Sequence, residues 1–236
     1  MKELIRTQAL LGDHYNKLRQ TTVMIVGLGG VGSHAAIALA SMGIGRLILV
    51  DFDDLAISNS NRHVQSRSDR IGQNKAQAMK EHILNVLPQT VIEVLPVRYS
   101  TEIEDIIFSQ PVDYLIDAID IMTNKLQLIQ ACLDRRTPFV SSMGMANRID
   151  PLQVIETTIY RTKGDRFAGI IRRHARNKDW PDFPVVTSLE QSKKTIIPQI
   201  ELSRNIPASC YLVPAAGGLA LASWVCQKIM KSKINE

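Results

Sequence analysis

The chain predicts an α/β fold, a doubly wound and mostly parallel sheet with an irregular C-terminal insertion and a final helix. Three observations carry this expectation. Short apolar runs alternate with stretches of helical periodicity along most of the sequence. A glycine-rich turn joins the first such run to the first helical stretch, and an acid, Asp51, closes the second run.

Val23–Val26 is β-branched and apolar and ends at Gly27, the pattern of a strand buried on both faces. Gly32 to Met42 is alanine-rich with helical spacing, and "RLILVD" (Arg46–Asp51) is a second buried strand. Ser68–Leu87 reads as an amphipathic helix stopped by Pro88, which cannot continue it. "TVIEVLPV" and "VDYLIDAID" are the third and fourth strands, Lys125–Arg135 is helical, and Pro138–Gly144 is a fifth strand followed by "LQVIETTIY". Such alternation favours parallel strands, right-handed crossovers and helices on both faces. Gly164 to Ile206 lacks clear periodicity and reads as an irregular insertion. Ile206–Gln227 carries no charge and approaches the roughly 20 residues of a membrane span. Pro207, Pro214, Gly217 and Gly218 interrupt it, so a loop and a buried helix from Val213 to about Met230 are expected instead of membrane association.

With 236 residues there is room for one large domain with a full core. Apolar residues at 45% and charged ones at 22% match an ordinary globular protein. Three cysteines without a CxxC pair argue against a disulfide framework and a cysteine zinc site. The N-terminal stretch is too polar for a signal peptide, and a cytoplasmic location is expected. A net charge of +5 leans towards anionic partners. The excess is concentrated at Arg161, Lys163, Arg172, Arg173 and Arg176, either an RNA-binding surface or a solvated helix face.

Gly27, Gly29 and Gly32 form a GxGxxG frame between strand and helix, the Rossmann-like arrangement. The first permits the tight turn, the second lets backbone approach a pyrophosphate, and the third lets helix and strand pack closely. Asp51 falls where an acid accepts hydrogen bonds from a ribose. The other polar groups, Asp117 and Asp120 after the fourth strand and Ser141–Met143 on the fifth, also gather at carboxyl strand ends, the ligand edge of an open parallel sheet. Arg62 belongs near phosphates on this reasoning. Lys75 stands in the first turn of a helix, where the macrodipole disfavours a cation by about 0.3–1 kcal/mol. An anionic ligand more than offsets this, since a unit charge pair 4 Å apart gains about 4 kcal/mol at an effective dielectric of 20, before desolvation. A diphosphate has no need of several cations; a triphosphate being cleaved does. ATP is therefore expected rather than NAD. Asn59 and Asn61 are expected to orient phosphate oxygens, and Arg62 to neutralise departing pyrophosphate. Asp120 either holds a Mg²⁺ bridging the phosphates or caps the next helix.

The motifs "GLGGVGS", "VDFDDLAISNSNRH", "GQNKA" and "DAID" resemble the ThiF/MoeB/HesA superfamily of carboxylate-adenylating enzymes over Arg6 to about Pro151. The resemblance implies that Gly30 joins the phosphate loop, Asp51 binds the ribose, Asn59, Asn61, Arg62 and Lys75 bind phosphates, and Asp120 holds Mg²⁺. It also implies a homodimer in which Arg6, in "RTQALLG", reaches the ATP of the neighbouring subunit. "SSMGMANRIDP" and "IPASCYLVPAAGGLALASWV" are most similar to the tRNA threonylcarbamoyladenosine dehydratase branch. For that branch the implied reaction is attack of a threonyl carboxylate on the α-phosphate of ATP, then cyclisation with release of AMP. Ile121 stands where sulfur-carrier activators have Asn, and the absence of paired CxxC motifs separates the chain from zinc-bearing activators. Asp165 to Arg204 diverges from the branch, so substrate contacts there are not carried over. The alternative is an adenylyltransferase acting on a sulfur-carrier or ubiquitin-like protein. A monovalent cation (K⁺ or Na⁺) and a sulfur-acceptor protein are further candidate partners. Cys210 is the candidate thiol for such transfer, although "PASCYLVP" offers no positive charge to activate it. His63, beside Arg62, is a candidate nucleotide contact. The implied division is a helical arm at 1–20, an ATP-binding domain at 21–160, and a basic segment with the C-terminal helix at 161–236.

Overall fold

The computed structural model describes residues 2–193 and 207–232. Two short helices, α1 (Ile5–Leu11) and α2 (His14–Gln20), precede β1 (Thr22–Val26), α3 (Gly32–Met42) and β2 (Arg46–Val50). Then come α4 (Lys75–Val86), β3 (Val91–Leu95), α5 (Glu104–Phe108), β4 (Tyr114–Asp117), α6 (Met122–Arg135) and β5 (Phe139–Ser142). The chain continues through β6 (Val154–Thr158), α7 (Arg166–Asn177), β7 (Pro184–Ser188) and α8 (Leu212–Lys231). The strands form a seven-stranded sheet in the order β3-β2-β1-β4-β5-β7-β6. All neighbours are parallel except β6 and β7.

Side chains alternate between the two faces of each strand, and the core divides accordingly. Val23 and Ile25 point into a layer with Ala35, Leu39, Met79, Leu221 and Val225, from α3, α4 and α8. Met24 and Val26 point the other way, to Ile107, Leu128, Ile129, Ala168 and Ile171, from α5, α6 and α7. Each layer covers one face of the sheet, so the backbone hydrogen bonds of the inner strands are shielded from water. The polar ends of those strands are left as the place where a ligand can be met. The order in which strands are added reverses between the parallel neighbours β1 and β4, and at that point the loops leaving their carboxyl ends diverge and open a crevice.

Two expectations are corrected. The helix expected from Ser68 begins at Lys75; residues 68–70 form a single 3₁₀ turn, and Gly72 takes φ 87°. Asn74 sets the start, its side chain accepting from the N–H groups of Ala76 at 3.0 Å and Gln77 at 3.2 Å. The stretch expected to be irregular holds a 12-residue helix, α7, and a strand, β7. Arginines give the helix a low overall hydropathy, although its buried stripe of Ala168, Ile171 and Ala175 follows helical spacing. The strand is five residues long and becomes legible only when inserted between β5 and β6. Residues 194–206 of that expectation lie outside the described residues. By length and composition α8 could cross a membrane. It buries Val213, Leu221, Val225 and Ile229 and packs against α3, β5 and β6, as the buried C-terminal helix expected there.

Candidate nucleotide site

The crevice is lined by Gly27 and Gly29 after β1, Asp51–Asp53 after β2, Val97–Tyr99 after β3, and Ala118–Ile121 after β4, with Lys75 and Asn124. Its empty space is about 560 Å³ when the solvent-open mouth is included.

The glycines divide their work. At Gly27, φ is 93° and an added Cβ would lie 2.7 Å from the Ala118 carbonyl oxygen. At Gly32 a Cβ would lie 1.8 Å from the Gly27 carbonyl oxygen, so the turn and the helix approach only because Gly32 lacks a side chain. Gly29 is different: the nearest atom to its added Cβ is His63 Nε2, 3.9 Å away, so its backbone faces open space. Gly30 supports the rim, packed against the Arg62 stem and Pro214. No side chain caps the start of α3. The first N–H groups of a helix lack intrahelical partners and attract anions, so the loop fits a phosphate without further help.

Asp51 is buried at the floor. Its Oδ2 accepts from the Leu28 N–H at 2.6 Å and its Oδ1 from the Asp53 N–H at 2.9 Å. Burial raises its pKa, and the charge of Lys75 works against that rise. Lys75 is neither in water nor unpartnered: it is buried and donates to Asp53 Oδ2 at 2.7 Å. Asp120 is exposed on the crevice wall. Arg62 is half-buried and donates to the Ser58 carbonyl and to Asn61 Oδ1, both at 2.9 Å. Burial lowers its pKa, with Asp120 opposing.

The structure thus gathers Gly27, Gly29, Asp51, Lys75 and Asp120 around one cavity, with Arg62 and Gly30 at its edge. The asparagine side chains are engaged within the chain. Asn59 Oδ1 accepts from the Ala56 N–H, and Asn61 donates to the Ser209 carbonyl, tying the loop to the chain before α8. Arg6 is exposed on α1, whose Thr7 donates to the Ser41 carbonyl near the far end of α3. That end lies roughly 14 Å along the helix from the glycine loop. Of the basic cluster, Arg161, Lys163, Arg173 and Arg176 are exposed, whereas Arg172 turns inward to the Thr162 carbonyl at 2.8 Å. His63 is buried, and burial with the charges of Lys75, Arg62 and His34 brings its pKa down to about 3. Cys210 donates through Sγ to the Arg148 carbonyl at 3.3 Å.

Sequence reasoning missed four groups. Asp53 holds Lys75. Arg98 lies over the Phe52 ring, its Cζ 3.9 Å from the centroid. Asn124 donates to the Tyr99 carbonyl and closes the crevice wall. Below the wall, Lys125 is fully buried and donates to Asp117 Oδ2 at 2.7 Å, an oxygen that also accepts from Ser141 Oγ at 2.6 Å. Burial lowers the Lys125 pKa and the Asp117 carboxylate opposes that. Asp117 Oδ1 accepts from the Ile119 N–H and so shapes the turn that presents Asp120. The "DAID" quartet was the available signal for Asp117, but nothing local names its partner.

Residues 2–195 match the ThiF family. The chain belongs to the ThiF family. Among its relatives in that family, tRNA threonylcarbamoyladenosine dehydratase of Bacillus subtilis is 33% identical, over 98% of this chain and 96% of that protein. The Escherichia coli dehydratase is 35% identical over 70% of this chain and 60% of that protein. A crystal structure of the Escherichia coli dehydratase with AMP superposes with a TM-score of 0.87 at 29% identity, covering 97% of this chain and 94% of that one. The same dehydratase with ATP gives 0.87 at 28%. The likeness to ThiF-family dehydratases therefore spans the sheet, the crevice and α8 rather than the glycine loop alone.

Proposed function

We propose that this protein is an ATP-dependent tRNA threonylcarbamoyladenosine dehydratase. The observation that carries the reading is the convergence of an uncapped helix start, Asp51, Lys75 and Asp120 on one crevice, in a chain similar over nearly its whole length to a dehydratase. The threonyl carboxylate of the modified adenosine attacks the α-phosphorus of ATP and pyrophosphate leaves. The carbamoyl group of the same side chain then attacks the activated carbonyl, closes the ring and releases AMP. Asp51 accepts from the ribose hydroxyls, and the loop N–H groups at Gly29 and the α3 start hold phosphate oxygens. Lys75 leaves Asp53 for the triphosphate, whose charge is the larger. Arg62 and the amides of Asn59 and Asn61 turn from their internal contacts to the phosphates as the nucleotide enters. The chain supplies position and charge, not a covalent nucleophile.

Among the described residues no cluster of three acidic, histidine or cysteine side chains is close enough to cage a metal. Asp120 alone suits Mg²⁺, which binds through one or two carboxylates and the phosphates it accompanies. When bound, Mg²⁺ supplies positive charge to the phosphate oxygens. We propose no monovalent-cation site and no sulfur-acceptor face.

Arg6 lies too far along α3 to serve its own crevice, so its role requires a second copy of the chain. α1 buries none of its residues, and Ile5 and Leu10 beside Arg6 are 62% and 84% exposed. A homodimer that covers this helix and delivers Arg6 to the partner accounts for both facts. The exposed cations Arg161, Lys163, Arg173 and Arg176 are the proposed RNA contact, with Arg172 bracing the segment from within. RNA affinity should then fall steeply with salt.

The test is incubation of the purified protein with ATP, Mg²⁺ and tRNA bearing threonylcarbamoyladenosine. AMP release and the cyclised nucleoside by mass spectrometry are expected. Neither product, or pyrophosphate exchange that requires a protein C-terminus instead of RNA, overturns the reading.

A further inference from the structure

The crevice wall opposite the glycine loop has no assigned task. It is built from the chain after β3, and it is held firmly: Tyr99 is buried, its hydroxyl donates to Glu104 Oε2 at 3.3 Å, and its carbonyl accepts from Asn124. Arg98 projects from this pinned segment, exposed to solvent. Among the described residues no carboxylate lies within ion-pair distance of it. Its guanidinium instead rests over the ring of Phe52, the residue directly after the crevice's Asp51. Both side chains line the cavity.

With phosphates at the α3 start and the ribose at Asp51, this wall is what remains for the base. We propose that the Phe52–Arg98 stack is a platform on which the nucleobase lies, making Arg98 an affinity-determining residue that works through its planar face. This rests on the nucleotide reading above and deepens it. A guanidinium is planar and weakly hydrated and stacks on π-systems, which an ammonium cannot do. Phe52 fixes its plane in advance, so little side-chain freedom remains to be lost when a base arrives. Every base has a π-face, so the platform contributes affinity whatever the base edge. An arginine serving phosphates would instead act by charge.

Calorimetric titration of the full chain with ATP and with AMP separates these roles. Arg98→Ala is expected to weaken both ligands by the same factor, on the order of tenfold. Arg98→Tyr, planar but uncharged, restores most of the loss, and Arg98→Lys, charged but not planar, does not. Phe52→Leu gives a smaller loss in the same direction by freeing Arg98. The inference fails if Arg98→Ala binds ATP as tightly as wild type, if ATP suffers and AMP does not, or if Lys rescues where Tyr does not. A wild-type chain that binds neither nucleotide overturns the site assignment itself.

Discussion

Two lysine–aspartate pairs border the same crevice. Lys125 meets Asp117 at 2.7 Å and Lys75 meets Asp53 at 2.7 Å, but the media around them differ. The first pair has 0% side-chain exposure at both ends, and Ser141 Oγ and the Ile119 N–H occupy the carboxylate's remaining positions. In the second, Lys75 is 10% exposed and Asp53 44%. A fully buried pair cannot exchange partners, because either ion alone would be stranded in apolar surroundings. A pair with one end in water can: Asp53 resolvates when Lys75 turns to an anion. Equal contact lengths thus describe a structural bolt in one place and a releasable cation in the other.

Isosteric substitutions break this comparison most directly. Lys125→Met leaves Asp117 buried without its cation, and unfolding in denaturant should show a loss of about 3–5 kcal/mol. Replacing both partners, Lys125→Met with Asp117→Leu, should recover most of that stability; failure to do so would mean that the pair is more than a bolt. Lys75→Met should lower AMP release on the order of 100-fold, with stability within about 1 kcal/mol of wild type. Unchanged turnover would remove Lys75 from the machinery.

A third measurement sharpens the contrast with an uncharged buried group. Because the folded pKa of His63 is about 3, well below its ordinary value of 6.5, its neutral form is favoured by the fold. Its contribution is complete above about pH 6.5 and is lost as pH falls towards 3, by up to about 1.4 kcal/mol per unit. Melting curves of wild type and His63→Gln should therefore converge between pH 6.5 and 4.5; parallel curves would contradict the assigned burial. The smallest effect belongs to Asp53→Asn, where loss of a half-exposed charge should change stability by less than about 1 kcal/mol. ATP affinity should rise slightly as Lys75 is freed, and a fall would show that Asp53 itself serves the ligand.

What was legible in the sequence were features written in consecutive residues. The first strand, the glycine turn and Asp51 share one local pattern, and the structure places them together. Asp120 was legible because sheet topology sends every carboxyl strand end to one edge, and Lys75 because a cation in the first turn of a helix calls for an anion. Partners were not. Nothing near Lys75 announces Asp53, 22 residues away, and nothing near Phe52 announces Arg98. The internal contacts of Asn59 and Asn61 were not legible for another reason: short polar side chains bond to nearby backbone as readily as to a ligand, and here they do. α7 was missed because its arginines lower its overall hydropathy, although Ala168, Ile171 and Ala175 do recur at helical spacing among them.

Gly218 of α8 comes so near the glycine turn that a methyl group there would sit 2.4 Å from the Val31 carbonyl oxygen, while Pro214 abuts Gly30. The last helix is therefore the back wall of the turn, although almost the whole length of the chain separates them. A nascent polypeptide halted before Tyr211 would have its glycine motif already synthesised, but without the brace that gives the motif its shape.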